Sequence, residues 1–144
     1  FAGNHHAREL FTLPLFTPAY WREVGMMIKW YLFLVPRPNR YVGHNPLARL
    51  GMVLGYVVMA LFMICTGFAL YGEGTLPGSW ANTMFGWVIP LFGQSQDVHT
   101  WHHLGMWGLL IFVIVHVYAS IREDIMGRQS IISTMVSGHR TFKD

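Results

Sequence analysis

Two long stretches of the chain suspend the usual mixing of polar and apolar positions. Leu50 to Leu70 runs for 21 residues without a charge, and Leu104 to Ile121 is equally free of charge. At ~1.5 Å rise per residue, a helix through either is long enough for ~30 Å of hydrocarbon. We expect transmembrane helices over 46–71 and 99–122. A shorter apolar stretch, Tyr20 to Val35, is interrupted by Arg22, Glu23 and Lys29, too short and too charged to cross. Its Trp21, Trp30 and Tyr31 suit the headgroup region. It reads as an interfacial helix over 20–35, with packing on a soluble partner as the alternative. Pro36 and Pro38 end it. Asn45 and Pro46 make an N-cap and first-turn pair for the first span, and Asp97 an N-cap for the second.

Between these elements lie a segment 1–45, a loop 72–98 and a tail 123–144. The loop carries an apolar middle with Trp80, Trp87 and Phe92, suited to a membrane surface or to a docked partner. The pattern predicts one all-α membrane domain over 1–144. Composition agrees: 53% of residues are hydrophobic and 12% charged. The one cysteine, Cys65, has no partner for an internal disulfide. The chain opens on FAGNHHAREL with neither an initiator Met nor a signal-peptide pattern, so we expect further residues to precede it.

Charge adds orientation. All ten Lys and Arg lie outside 72–98. Arg8, Arg22, Lys29, Arg37, Arg40 and Arg49 precede or open the first span; Arg122, Arg128, Arg140 and Lys143 follow the second. The positive-inside rule then places both ends in the cytoplasm and the loop outside. The basic residues form no run, which argues against a nucleic-acid partner.

The candidate chemistry is histidine. His99, His102, His103 and His116 lie in or beside the second span. An ionisable residue inside an apolar span is costly and marks a functional site by default. Residues fourteen apart on a helix are offset by only ~40° and separated by ~21 Å along its axis. His102 and His116 have that spacing, whereas His103 falls ~140° and His99 ~100° from His116. Two imidazoles on one face, most of a bilayer apart, suit axial ligation of two stacked haems. His99 and His103 read as interfacial, or as hydrogen-bonded to propionates or a partner. They are also i,i+4 and could hold zinc or copper, with few further ligands in reach. His5 and His6 are adjacent and read as solvated. His44 reads as bonded to local backbone, with a cofactor or quinone contact as the alternative.

Gly51 and Gly55 have GxxxG spacing, and Gly67 lies further along. Gly105 and Gly108 lie one turn beyond His102, where missing side chains serve either a flat macrocycle or helix packing. Arg122 is placed to snorkel at the boundary. No Cys-rich cluster, phosphate loop or nucleophile–base pairing is present.

The segments RELFTLPLF, KWYLFL, GHNPLAR, FMICTGFALYGEG, DVHTWHHLGMW, HVYASIREDIMGRQS and STMVSGHRTFKD, in this order, resemble the b-type cytochrome subunit of membrane-bound NiFe-hydrogenases. The likeness covers essentially the whole chain. The second span is more distantly similar to the cytochrome b subunit of respiratory formate dehydrogenase. The resemblance implies a four-helix haem b bundle of which this chain is the C-terminal half. It implies that His102 ligates a haem nearer the periplasm and His116 one nearer the cytoplasm, with partner ligands on preceding helices. It further implies one or two haems and a place in the bacterial inner membrane. Electrons would pass from the large and small hydrogenase subunits to quinone, this subunit not itself activating hydrogen. A haem-free membrane anchor for a periplasmic enzyme is the competing reading.

Overall fold

The computed structural model describes residues 13–36, 45–126, 132 and 138. His5, His6 and His44 lie outside them. Among the described residues the structure is helical and contains no strand. The elements are α1 (Pro18–Tyr31), α2 (Pro46–Gly51), a π-helical segment (Met52–Val58), α3 (Met59–Glu73), α4 (Trp80–Phe85), α5 (Val88–Phe92) and α6 (Ser95–Met126). Two helical runs, Pro46–Glu73 and Ser95–Met126, are long and apolar enough to cross a membrane. Only 11% and 6% of their most apolar windows are buried, unlike the core helices of a soluble protein.

Packing divides the chain into two units, Leu54–Phe112 and the pair Phe1–Val53 with Val113–Asp144. In the second of these, α1 turns an apolar stripe inward. Tyr20, Val24, Met27 and Trp30 recur at helical spacing and are each at most 5% exposed. The α1 helix packs on α2, and the Tyr20 hydroxyl donates to the Pro46 carbonyl at 3.0 Å. Asn45 caps α2, its side chain accepting from the Ala48 N–H at 2.7 Å, with Pro46 in the first turn.

The end of α1 is unusual. The Phe33 N–H bonds the Trp30 carbonyl and the Leu34 N–H the Lys29 carbonyl, the paired bonds of a Schellman motif. The left-handed residue that such an ending needs is commonly glycine; here it is Phe33, at φ 62°.

In Leu54–Phe112, α3 packs against α4 and α5, so the 72–98 stretch folds back onto the end of its own span. A side chain at Gly72 would meet the Asn82 nitrogen at 2.9 Å, so glycine permits this approach. Ala69, Val88 and Val98 form the buried centre, with Leu70, Phe85, Ile89 and Phe92 around it. Gly93, at φ 106°, ends α5 and lets the chain turn into α6. The α6 helix starts at Ser95, which moves Asp97 from the expected cap into the first turn, still a favourable place for an acid.

Candidate functional site

The α6 helix carries His99, His102, His103 and His116 on one continuous run, and their surroundings differ. The His99 Nδ1 lies 3.1 Å from the Ser95 carbonyl of its own first turn, and His99 and His103 are exposed. Among the described residues no group of three or more His, Cys, Asp or Glu is placed to hold a metal ion, so these two histidines gain no further ligands of that kind.

His102 is half-buried and is met by the neighbouring helix. Thr66 of α3 is 1% exposed. Its Oγ1 lies 2.8 Å from the Phe62 carbonyl one turn back and 2.8 Å from His102 Nδ1. A threonine in a helix reaches its i−4 carbonyl readily, which aims the hydroxyl at a fixed point on the helix surface. The adjacent Gly67 has no side chain, and a Cβ there would lie 3.3 Å from His102 Cε1. One ring nitrogen of His102 is thus engaged by protein, and Nε2 is the nitrogen left to take a ligand.

The glycines after His102 resolve toward packing. A Cβ at Gly105 would meet Met63 Sδ at 2.6 Å and Phe62 at 3.0 Å, and one at Gly108 would meet Met59 at 3.0 Å. The space they leave is filled by α3 side chains. Gly55 likewise accommodates the Phe112 ring, which stacks on Tyr56 at 6.2 Å, while Gly51 of the same GxxxG pair faces open space.

His116 is exposed on α6, and its carbonyl accepts from the Ser120 hydroxyl at 2.9 Å. Further along, Arg122 and Glu123 are 4% and 5% exposed. Arg122 does not reach outward as its position predicts. Its guanidinium carbon lies 4.2, 4.6 and 4.6 Å from the ring centres of Trp30, Tyr31 and Phe33. Nη2 donates to the Trp30 carbonyl at 2.9 Å, at the negative end of α1. Nε and Nη1 have no hydrogen bond, and the rings take their place. Glu123 Oε1 accepts from the Tyr31 hydroxyl at 3.2 Å and from Asn45 Nδ2 at 3.0 Å. Burial, then the Glu123 charge, pushes the Tyr31 phenol well above its ordinary value. Sequence reasoning missed Thr66 and this aromatic enclosure.

The sequence profile of the prokaryotic cytochrome b561 family matches residues 10–138. The chain is 71% identical over 143 residues to a probable Ni/Fe-hydrogenase B-type cytochrome subunit of Cupriavidus necator, covering 99% of this chain and 59% of that protein. It is 63% identical to the subunit of the same name from Azotobacter vinelandii, over all of this chain and 60% of that one. A probable Ni/Fe-hydrogenase 1 B-type cytochrome subunit of Escherichia coli K12 is 48% identical over 99% of this chain and 61% of its own length. The chain thus spans about three-fifths of the length of these curated relatives. No solved structure matches. With its two apolar, exposed helices, the chain is a membrane protein.

Proposed function

The chain belongs to the prokaryotic cytochrome b561 family, and from that premise we propose that it is the haem b electron-transfer part of a hydrogenase's membrane subunit. The donor set fits haem. His102 is half-buried with one nitrogen engaged by protein, and His116 follows on the same helix at the spacing that returns to nearly the same face. His102 and His116 would each hold one haem iron. Preceding helices of the full-length subunit would supply further ligands and close a four-helix bundle. The haem, when bound, supplies one-electron chemistry; the protein's part is to bind, orient and tune it.

The rest of the circuit follows from the relatives' names and the charge pattern. The relatives are named as subunits of Ni/Fe-hydrogenases. The 72–98 loop has no basic residue, which fits a periplasmic face toward the hydrogenase small and large subunits. The flanking Arg and Lys fit cytoplasmic ends in the inner membrane, with quinone as acceptor nearer His116. The observation that carries this reading is the His102 imidazole held by a buried hydroxyl within an apolar helix pair.

The test is haem content. In the purified full-length subunit, His102→Ala and His116→Ala each lose one b-type haem in the reduced-minus-oxidised spectrum while still inserting in the membrane. Full haem content in either variant overturns that ligand, and a wild-type subunit without a b-type band leaves only a haem-free anchor.

A further inference from the structure

We propose that Thr66 is a positioning residue that fixes His102 as the Nδ1–H tautomer, so that Nε2 reaches the iron unprotonated. This rests on the haem reading above, and goes beyond it by assigning a residue on the other span.

The argument is an account of protons. The Thr66 hydroxyl has one. Its oxygen lies 2.8 Å from the Phe62 carbonyl oxygen, which has none to give, so Thr66 donates there. A weaker contact to the Met63 carbonyl at 3.4 Å draws on the same proton. Toward His102 Nδ1, also 2.8 Å away, Oγ1 then has only lone pairs to offer. Nδ1 must therefore carry the hydrogen and donate it. A neutral imidazole has one N–H, so Nε2 keeps its lone pair, the form that binds a metal. Thr66 is 1% exposed, so water does not compete for its hydroxyl. Turning the ring over would set a carbon against Oγ1 and lose the bond.

Gly67 leaves room for the ring on a second side. A Cβ there would lie 3.3 Å from His102 Cε1, tighter than an ordinary contact. Thr66 and Gly67, neighbours in sequence, thus fix the proton and leave room for the ring. An acceptor on the far nitrogen makes the ligating nitrogen more basic, which favours oxidised iron and lowers the midpoint potential.

The experiment uses the full-length, haem-loaded subunit with Thr66→Val, which exchanges the hydroxyl for a methyl, and Thr66→Ser, which keeps it. Spectroscopic redox titration follows the haem that His102→Ala removes. Thr66→Val is expected to hold that haem about tenfold or more weakly and to shift its midpoint upward. Thr66→Ser restores both. Wild-type potential and retention in Thr66→Val, with His102→Ala still losing a haem, overturns the assignment to Thr66 alone. Equal loss in Thr66→Ser and Thr66→Val overturns it too, since any change of shape at 66, and not the hydroxyl in particular, would then matter. Full haem in His102→Ala fails the parent reading. Should Thr66→Val not insert, Thr66→Cys against Thr66→Ser decides: the weaker acceptor must give the higher potential.

Discussion

In Leu54–Phe112 the buried polar contact is one hydroxyl meeting one imidazole, between helices drawn together by glycines. In the other unit it is a charged guanidinium enclosed by three rings, with a carboxylate beside it that gathers a phenol and an amide. The first arrangement leaves one ring nitrogen available. The second closes around its charge, with rings where hydrogen-bond partners run out. On the reading proposed above the imidazole keeps a nitrogen for a ligand, whereas the guanidinium is spent on tying elements together.

The sharpest way to break this contrast is to empty the enclosure. Arg122→Ala should destabilise the protein by about 3 kcal/mol, combining a desolvated cation–π contact with a charge-assisted hydrogen bond. It should leave the spectrum of the haem proposed for His102 unchanged. Thermal unfolding of the detergent-solubilised subunit, read by tryptophan fluorescence and haem absorbance together, checks both parts. A shifted haem spectrum would mean that the two arrangements are not separate.

Glycine substitutions sharpen the other side. Gly105→Ala drives a methyl into Met63 and Phe62 and should cost about 1–3 kcal/mol by overpacking. Gly51→Ala meets open space and should stabilise its helix by up to about 1 kcal/mol. Opposite signs in the same thermal assay separate a packing glycine from an incidental one.

The smallest effect is one of pH. The folded Tyr31 phenol titrates above its unfolded value of 10.0, so the unfolded chain loses this proton first. The stabilisation is complete below about pH 10 and declines as pH rises above it. Tyr31→Phe should lose about 1 kcal/mol at neutral pH and remove that alkaline decline.

Much of this was legible in the sequence. Uncharged runs announced the two spans; the fourteen-residue interval picks out His102 and His116 as candidates, and their ligand role stays a proposal. Thr66 was not legible in the same way. A threonine in an apolar helix commonly satisfies itself on its own backbone, and its partner lies 36 residues away. One signal was available: Thr66 is the only Ser or Thr in Leu50–Leu70, and antiparallel spans joined through 72–98 set it opposite the start of α6. Gly105 and Gly108 could not be decided from spacing, because an absent side chain does not say what fills its place. Arg122 misled because charge near a span boundary predicts outward reach, while the rings that hold it come from residues about ninety positions earlier.

Phe33 shows where a common engineering habit fails. Swapping a left-handed residue for glycine is a standard route to a sturdier protein, because it relaxes the backbone. At this position the same swap removes one wall around Arg122, and the two changes pull in opposite directions. A homologue with glycine here would gain an easier bend and a less sheltered cation, so residues 33 and 122 form a pair to be redesigned jointly.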